Sequence, residues 1–239
     1  MTAQRGVALL VVLWVLAVLA TLLGALAATV QVQHRQALWQ ASHTQAVFAA
    51  EAGVAQAVMA RQARDPQARW PADGQPHQLR LGDADVRVSL YSERGKLDLN
   101  AASAPDLSRL LKACGAAPQA IEPLLQALEH LRQGPVPLRT LDEFRELPGM
   151  GFALYHCAVP WITVWSGQAQ PDPALAPAPL ARALGLPAVR EPDADPGPII
   201  TVQSEARLRN GYHTTLQVTL MLTQTKEGAR PYRVLRWQE

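Results

Sequence analysis

From Val7 to Val30 the chain reads VALLVVLWVLAVLATLLGALAATV, 24 residues in which no side chain is charged and only Thr21 and Thr29 carry a polar group. At about 1.5 Å per helical residue such a run exceeds the roughly 30 Å of hydrocarbon in a bilayer, so it can span a membrane. The competing reading is a cleaved secretory signal, for which Ala25, Ala27 and Ala28 supply a small-x-small site. A signal core has only about 7–15 apolar residues, and this one is too long. Ahead of the span the only charges are Arg5 and the amino group of Met1, so the positive-inside rule places residues 1–6 in the cytoplasm and everything after about residue 31 on the far side.

No turn signal closes the apolar run. Between Gln31 and Arg64 there is no proline, and Leu38, Ala41, Phe48, Ala52, Ala55 and Met59 recur at steps of three, four or seven. The pattern predicts one continuous helix over residues 7–64, apolar in its membrane half (7–30) and amphipathic in the half beyond (31–65). Asp65-Pro66 is expected to end it, because proline disfavours helix at the residue before it. Phe48 and Met59, in the amphipathic half, are the expected contacts to partner helices.

The totals set outer bounds. The 239 residues carry 22 Lys+Arg against 20 Asp+Glu, a formal charge of +2 that is too near balance for a nucleic-acid coat or general membrane-surface adhesion. Two cysteines exclude a disulfide scaffold and a four-cysteine zinc site.

Past Pro66, residues 78–81 and 85–91 alternate in strand fashion around a Gly82-Asp83-Ala84 turn. A second β block covers residues 199–208, 212–224 and 232–237, broken by Asn210-Gly211, a strong hairpin signal, and by Lys226-Glu227-Gly228. With the long helix these strands predict an α+β head, a helix packed on an antiparallel sheet, formed by residues 66–100 and 191–239. Residues 101–190 have helical spacing over 105–113, 118–132, 141–147 and 151–157, with Thr140 and Glu143 placed as a capping box, and are expected to form a mostly helical insertion.

Within that insertion Leu147-Pro148-Gly149-Met150-Gly151 resembles a helix-hairpin-helix turn, whose backbone N–H groups can meet a DNA phosphate. Residues 140–165 set Asp142, Glu143 and Glu146 against Arg145 alone, and non-specific DNA affinity comes mainly from cations. The turn is therefore read as packing. The six histidines lack zinc-helix spacing, Ser103, Ser166 and Ser204 lack a nucleophile-elbow context, and no enzyme is expected. Asp193 and Asp195 are oxygen donors of the kind calcium prefers, but the pair is read as a solvated acidic loop. Cys114 and Cys157 both fall in the insertion; spacing cannot supply the geometry of a bridge, so a disulfide and two buried thiols both remain open.

A short basic leader ending in Gly6, an apolar run from the next residue and an amphipathic continuation resemble the class III leader of type IV pilins and pseudopilins. Arg5-Gly6-Val7-Ala8-Leu9-Leu10, Glu51-Ala52-Gly53, residues 95–102 (GKLDLNAA), Leu147-Pro148-Gly149-Met150, residues 162–167 (ITVWSG) and residues 232–237 (YRVLRW) resemble, in order along the chain, the minor pseudopilin K family of the type II secretion system. The resemblance implies prepilin-peptidase cleavage between Gly6 and Val7, with Arg5 orienting the leader, and N-methylation of Val7. Two residues depart from the common pilin pattern. Val7 stands where Phe or Met is usual, and Val11 stands where most subunits carry a Glu that pairs with the amino terminus of a neighbour. A subunit at the tip has no earlier neighbour to pair with, so Val11 fits the tip position implied for the K family; Val is also simply the better lipid-facing residue.

The expected function is that of a minor pseudopilin capping the periplasmic pseudopilus and helping to initiate its assembly. Its expected partners are I-type and J-type minor pseudopilins, the major pseudopilin, the prepilin peptidase and the inner-membrane assembly platform. Calcium is implied by the resemblance alone, without ligands matched to this sequence, and nucleic acid is not an expected partner. The expected location is the bacterial inner membrane, crossed once, with a periplasmic head. A membrane-anchored DNA-uptake protein and a minor type IV pilin are the alternatives.

Overall fold

The computed structural model describes residues 3–189, 191, 194–223 and 230–239 and, within the first helix, the side chains of residue 9, residues 11–26 and residue 29 onward. Helix α1 (Ala3–Arg61) is a single α-helix of 59 residues, about 90 Å long. It starts ahead of Val7, so the Gly6–Val7 bond lies inside it. Its end comes at Arg61 instead of Arg64. Gln62 N–H still reaches the Val58 carbonyl, but Ala63 N–H turns to Ala60, and the last turn tightens. Arg69 Nε caps the Ala63 carbonyl at 2.7 Å. Asp65 instead starts a separate 3-10 turn, Pro66–Ala68, by accepting from Gln67 N–H. In the apolar half Thr21 and Thr29 donate their hydroxyls to the carbonyls of Val18 and Leu26, which satisfies both donors within the helix.

After the helix come β1 (Asp73–Leu81) and β2 (Ala84–Ser92), then the short β3 (Leu97–Asp98). Five helices follow, interrupted by one short strand: α2 (Ala104–Ala113), α3 (Pro118–Arg132), α4 (Leu141–Arg145), α5 (Phe152–Ala158), β4 (Ile162–Thr163) and α6 (Ala178–Leu184). The chain closes with β5 (Ile199–Leu208), β6 (His213–Leu222) and β7 (Tyr232–Gln238). Strand β1 begins five residues before the expected Gln78, as an edge strand that admits Pro76 through an irregularity between Asp73 and Pro76. The expected turn at Lys226-Glu227-Gly228 lies outside the described residues.

β1-β2-β5-β6-β7 is the order of a five-stranded antiparallel sheet. The fold is α+β, with α1 laid across one sheet face. Ala46, Ala50, Val54, Ala57 and Val58 are buried there against Val86, Val88, Val202, Ala206, Leu216 and Val218. The small residues on the helix side allow a close approach. A Cβ on Gly53 would sit 2.4 Å from Ser204 Oγ and 2.9 Å from a Val86 methyl, so only glycine fits.

Residues 97–186 build a second hydrophobic core of their own, among them Leu107, Leu111, Leu124, Leu128, Phe144, Ile162 and Leu180. It takes in Leu97 and Leu99, ahead of the expected boundary at residue 101, because β3 pairs in parallel with β4 and turns away from the large sheet. The expected capping box of Thr140 and Glu143 is present at the start of α4, and its hydrogen bonds from Arg139 and Thr140 hold the Glu143 carboxyl below its ordinary range. Helix α6, absent from the sequence reading, starts after Pro177 and stops at Gly185, whose φ of +69° closes a left-handed C-cap.

Candidate functional site

Two junctions fix the head on the helix. Near the membrane half, His43 Nδ1 lies 3.0 Å from Tyr212 Oη, Trp39 stacks on the His43 ring at 5.2 Å, and Asn210 donates to Ser42 Oγ. At the other end Gln62 Nε2 donates to the carbonyls of Thr223 and Pro231. The turn at residues 209–212 therefore lies at the end of the sheet nearer the apolar half of α1. The start of β5 and the end of β2 lie at the distal end, and the insertion leaves the sheet there.

The insertion is anchored by a buried polar knot. Lys96 Nζ contacts Glu93 Oε1 at 2.5 Å, Thr201 Oγ1 donates to the same oxygen at 2.6 Å, and Thr201 meets Thr219 at 2.8 Å. Asp98, fully buried, accepts from Asn100 N–H, Gly167 N–H and Ser166 Oγ, which ties the chain at both borders of the second core. Lys96, Asp98, Asn100, Ser166 and Gly167 lie within the GKLDLNAA and ITVWSG stretches that carry the sequence resemblance, and the structure gives them a packing reason. Sequence reasoning missed the knot; its one local trace is the opposite charges of Glu93 and Lys96 at i,i+3.

Cys114 and Cys157 are bonded, with Cα atoms 5.6 Å apart, joining the end of α2 to α5. The Leu147-Pro148-Gly149-Met150 turn packs Leu147 into the second core, and Gly149 takes φ +88°. Asp195 has both oxygens engaged: Oδ1 accepts from Gly197 N–H and Oδ2 meets Arg94 Nη1 at 2.7 Å. The Gly197 hydrogen bond and the Arg94 charge hold its carboxyl below the usual carboxylate range. Both Asp195 oxygens are thus taken up by protein donors, and no set of three ligating side chains gathers among the described residues. Asp193 lies outside the described residues.

What remains on the surface is a face of α1. Phe48 and Met59 are 64% and 63% exposed, and Leu38, Ala41, Ala52 and Ala55 are exposed with them on the side turned away from the sheet. Ala37, Gln40, Ala41, Thr44, Gln45 and Phe48 line a shallow groove along this face. The apolar half continues it: Val11 is 55% exposed, as are Leu13, Trp14, Leu16 and their neighbours over most of their surface. α1 is one helix long and apolar enough to cross a membrane. Arg5, Gly6 and Val7 all lie in its first turns.

No family model matches this chain, and no curated protein matches it. Among solved structures the fold matches a chain of the crystal structure of the GspK-GspI-GspJ complex from the enterotoxigenic Escherichia coli type 2 secretion system, with a TM-score of 0.57 and 15% identity. The match covers 83% of this chain and 97% of that one. The fold is pilin-like. At that identity the likeness concerns architecture alone.

Proposed function

We propose that this chain is a minor pseudopilin of a type II secretion system, of the K type, placed at the tip of the periplasmic pseudopilus. The observation that carries this reading is the exposed outward face of α1, which presents Leu38, Ala41, Phe48, Ala52, Ala55 and Met59 on the head of a pilin-like fold and lies on the same helix as the exposed apolar half. A face of that length has no role in a monomer, and side-by-side packing with the helices of other pseudopilins covers it. Partners of I and J type, and the major pseudopilin, meet it there. The protein works by assembly and not by catalysis.

Three further features support the tip position. Val11 offers no carboxylate to an earlier subunit. The insertion stands at the membrane-distal end of the sheet, where its bulk opposes addition of a subunit above. The disulfide suits an oxidising periplasm, the side the head reaches if Arg5 stays in the cytoplasm of an inner-membrane protein. Processing by the prepilin peptidase between Gly6 and Val7, methylation of Val7 and capture by the assembly platform complete the proposal.

The test is the mass and N-terminal sequence of the membrane-extracted protein, with and without active prepilin peptidase. Loss of residues 1–6 only when the peptidase is active is the expected result. An intact N-terminus in both cases, or cleavage near Ala28, overturns it.

A further inference from the structure

The sheet has two edges, and they are unlike. β1 is blunted: Pro76 lacks an N–H, the register is irregular between Asp73 and Pro76, and Gln75 N–H is spent on the Asp73 carboxylate. β7 carries no proline from Tyr232 to Gln238, and no strand pairs with its outer side among the described residues.

Its register sorts its side chains into two rows. Arg233 lies opposite Met221 and Arg236 opposite Thr219, on the face away from α1. Val234 lies opposite Leu220 and Trp237 opposite Val218, on the α1 face. The irregularity between Thr219 and Leu220 sets Leu235 between them, so each row has a spacing of three. Val234 and Trp237 are 42% and 47% exposed. Neither Arg233 nor Arg236 is in an ion pair among the described residues. Residues 213–222 and 230–238 contain no acid, and Arg230 adds a third cation. Among the described residues the acids around this edge are already engaged: Glu239 faces His43 at 3.5 Å, Asp142 accepts from Tyr155 in the insertion, and Glu93, linked through Thr201 to the Thr219 opposite Arg236, is paired with Lys96.

The backbone is ready as well. Thr223 N–H bonds the Pro231 carbonyl, and antiparallel alternation then turns the N–H and C=O of Tyr232 and Val234 outward.

We infer that the outer edge of β7 is a strand-addition site for an extended segment of another polypeptide in which acidic and apolar side chains alternate. The outward backbone groups of Tyr232 and Val234 supply the ladder, Arg233 and Arg236 pair with the acidic row, and Val234 and Trp237 pack the apolar row. Edge cations alone are a common guard against aggregation. Here they select: a second copy of β7 would set arginine against arginine, while an acidic strand is attracted. Exposed Val234 and Trp237 on the other face are what a purely protective edge leaves out. The inference stands independently of the pseudopilin reading.

The test uses the full chain in detergent micelles and a fluorescent, end-blocked heptapeptide, Glu-Val-Glu-Val-Glu-Val-Glu, followed by anisotropy. The expected result is saturable binding, weakened at least about tenfold when Lys replaces Glu. N-methylation of alternate peptide bonds, which blocks ladder bonds without touching the protein, also weakens it. Val234→Pro removes one outward donor and none facing β6, and lowers affinity by up to about tenfold. Arg233→Glu with Arg236→Glu reverses the preference toward the Lys peptide. Equal binding of the two peptides, no binding at millimolar concentration, or indifference to both N-methylation and charge reversal overturns the inference.

Discussion

Gly53 is where helix propensity and packing pull in opposite directions, and the outcome is open to measurement. In an isolated helix Gly→Ala is stabilising by about 1 kcal/mol. At residue 53 the new Cβ would lie 2.4 Å from Ser204 Oγ, 2.9 Å from a Val86 methyl and 3.1 Å from a Val88 methyl. The neighbours are short, fully buried side chains on two paired strands, so none of them can swing aside. Relief requires the helix and sheet to part by on the order of 1 Å, across a contact where Ala50, Val54 and Ala57 are also close. That places the overpacking near the upper end of its usual range, about 3 kcal/mol. Gly53→Ala is thus expected to destabilise the head by about 2 kcal/mol net, a drop of roughly 4–8 °C in the midpoint of a domain this size.

The partner variant isolates the cause. Ser204 Oγ is buried without a hydrogen-bond partner, so Ser204→Ala removes an unsatisfied group and should be neutral or slightly stabilising by itself. Combined with Gly53→Ala it deletes the worst clash and should recover about half the loss, a coupling a double-mutant cycle resolves. The assay is thermal unfolding of the full chain in detergent, followed by far-UV circular dichroism. An increase in midpoint for Gly53→Ala, as propensity alone would give, refutes the close-approach argument.

Four other expectations rest on single observations. Reducing Cys114–Cys157, which closes a separation of 43 residues, should cost about 4 kcal/mol on the chain-entropy estimate, with proteolysis increasing within residues 97–186 and not in the sheet. Lys96→Met strands Glu93 without its cation in the buried knot and should cost about 3–5 kcal/mol, whereas replacing both residues by apolar ones of similar size should cost much less; paired denaturation curves decide. Because the folded-state pKa of Asp195 is depressed, its contribution is present above the ordinary carboxyl value and is lost as pH falls through the folded value. Asp195→Asn should therefore flatten the stability profile below about pH 4 and leave its shape near neutrality unchanged. Phe48→Glu and Met59→Glu should leave the monomer within about 0.5 kcal/mol of its stability, yet abolish co-purification with I-type and J-type partners.

Much of this architecture was visible along the chain because it is local. The spacing that predicted strand 199–208 is that of β5, residues 118–132 are α3, and Asn210-Gly211 is the turn before β6. What escaped was non-local. Leu97-Asp98-Leu99 alternates like an outer strand of the large sheet, yet it pairs in parallel with Ile162-Thr163, more than sixty residues away, and nothing in a window of ten residues records that. The alternation at residues 78–81 marks only the second half of β1, whose first half carries Gly74 and Pro76 at a bulged edge that tolerates what a central strand does not. Glu93 and Lys96 look like surface charges; only the fold around them, through Thr201 and Thr219, makes them interior. Trp39 and His43, spaced i,i+4, were the available hint of the stacked cluster that Tyr212 completes.

The placement of side chains around α1 inverts that of an ordinary surface helix. In a soluble α+β domain the large apolar residues of a helix face the sheet and small or polar ones face water. Here Ala46, Ala50, Gly53 and Ala57 face the sheet, and Leu38, Phe48 and Met59 face outward. The small residues let the helix settle close enough that a few alanines and valines suffice to hold it, and the large ones are left for another surface. Burying the 56%, 64% and 63% of those three that is still exposed is worth roughly 3–6 kcal/mol in total, no more than the freedom two molecules lose on associating in water, estimated at about 4–15 kcal/mol. On its own the outward face of the head is therefore too weak to hold a pair. On the proposed pseudopilin reading it becomes sufficient, because an apolar half that holds both molecules in one membrane would already remove most of that freedom.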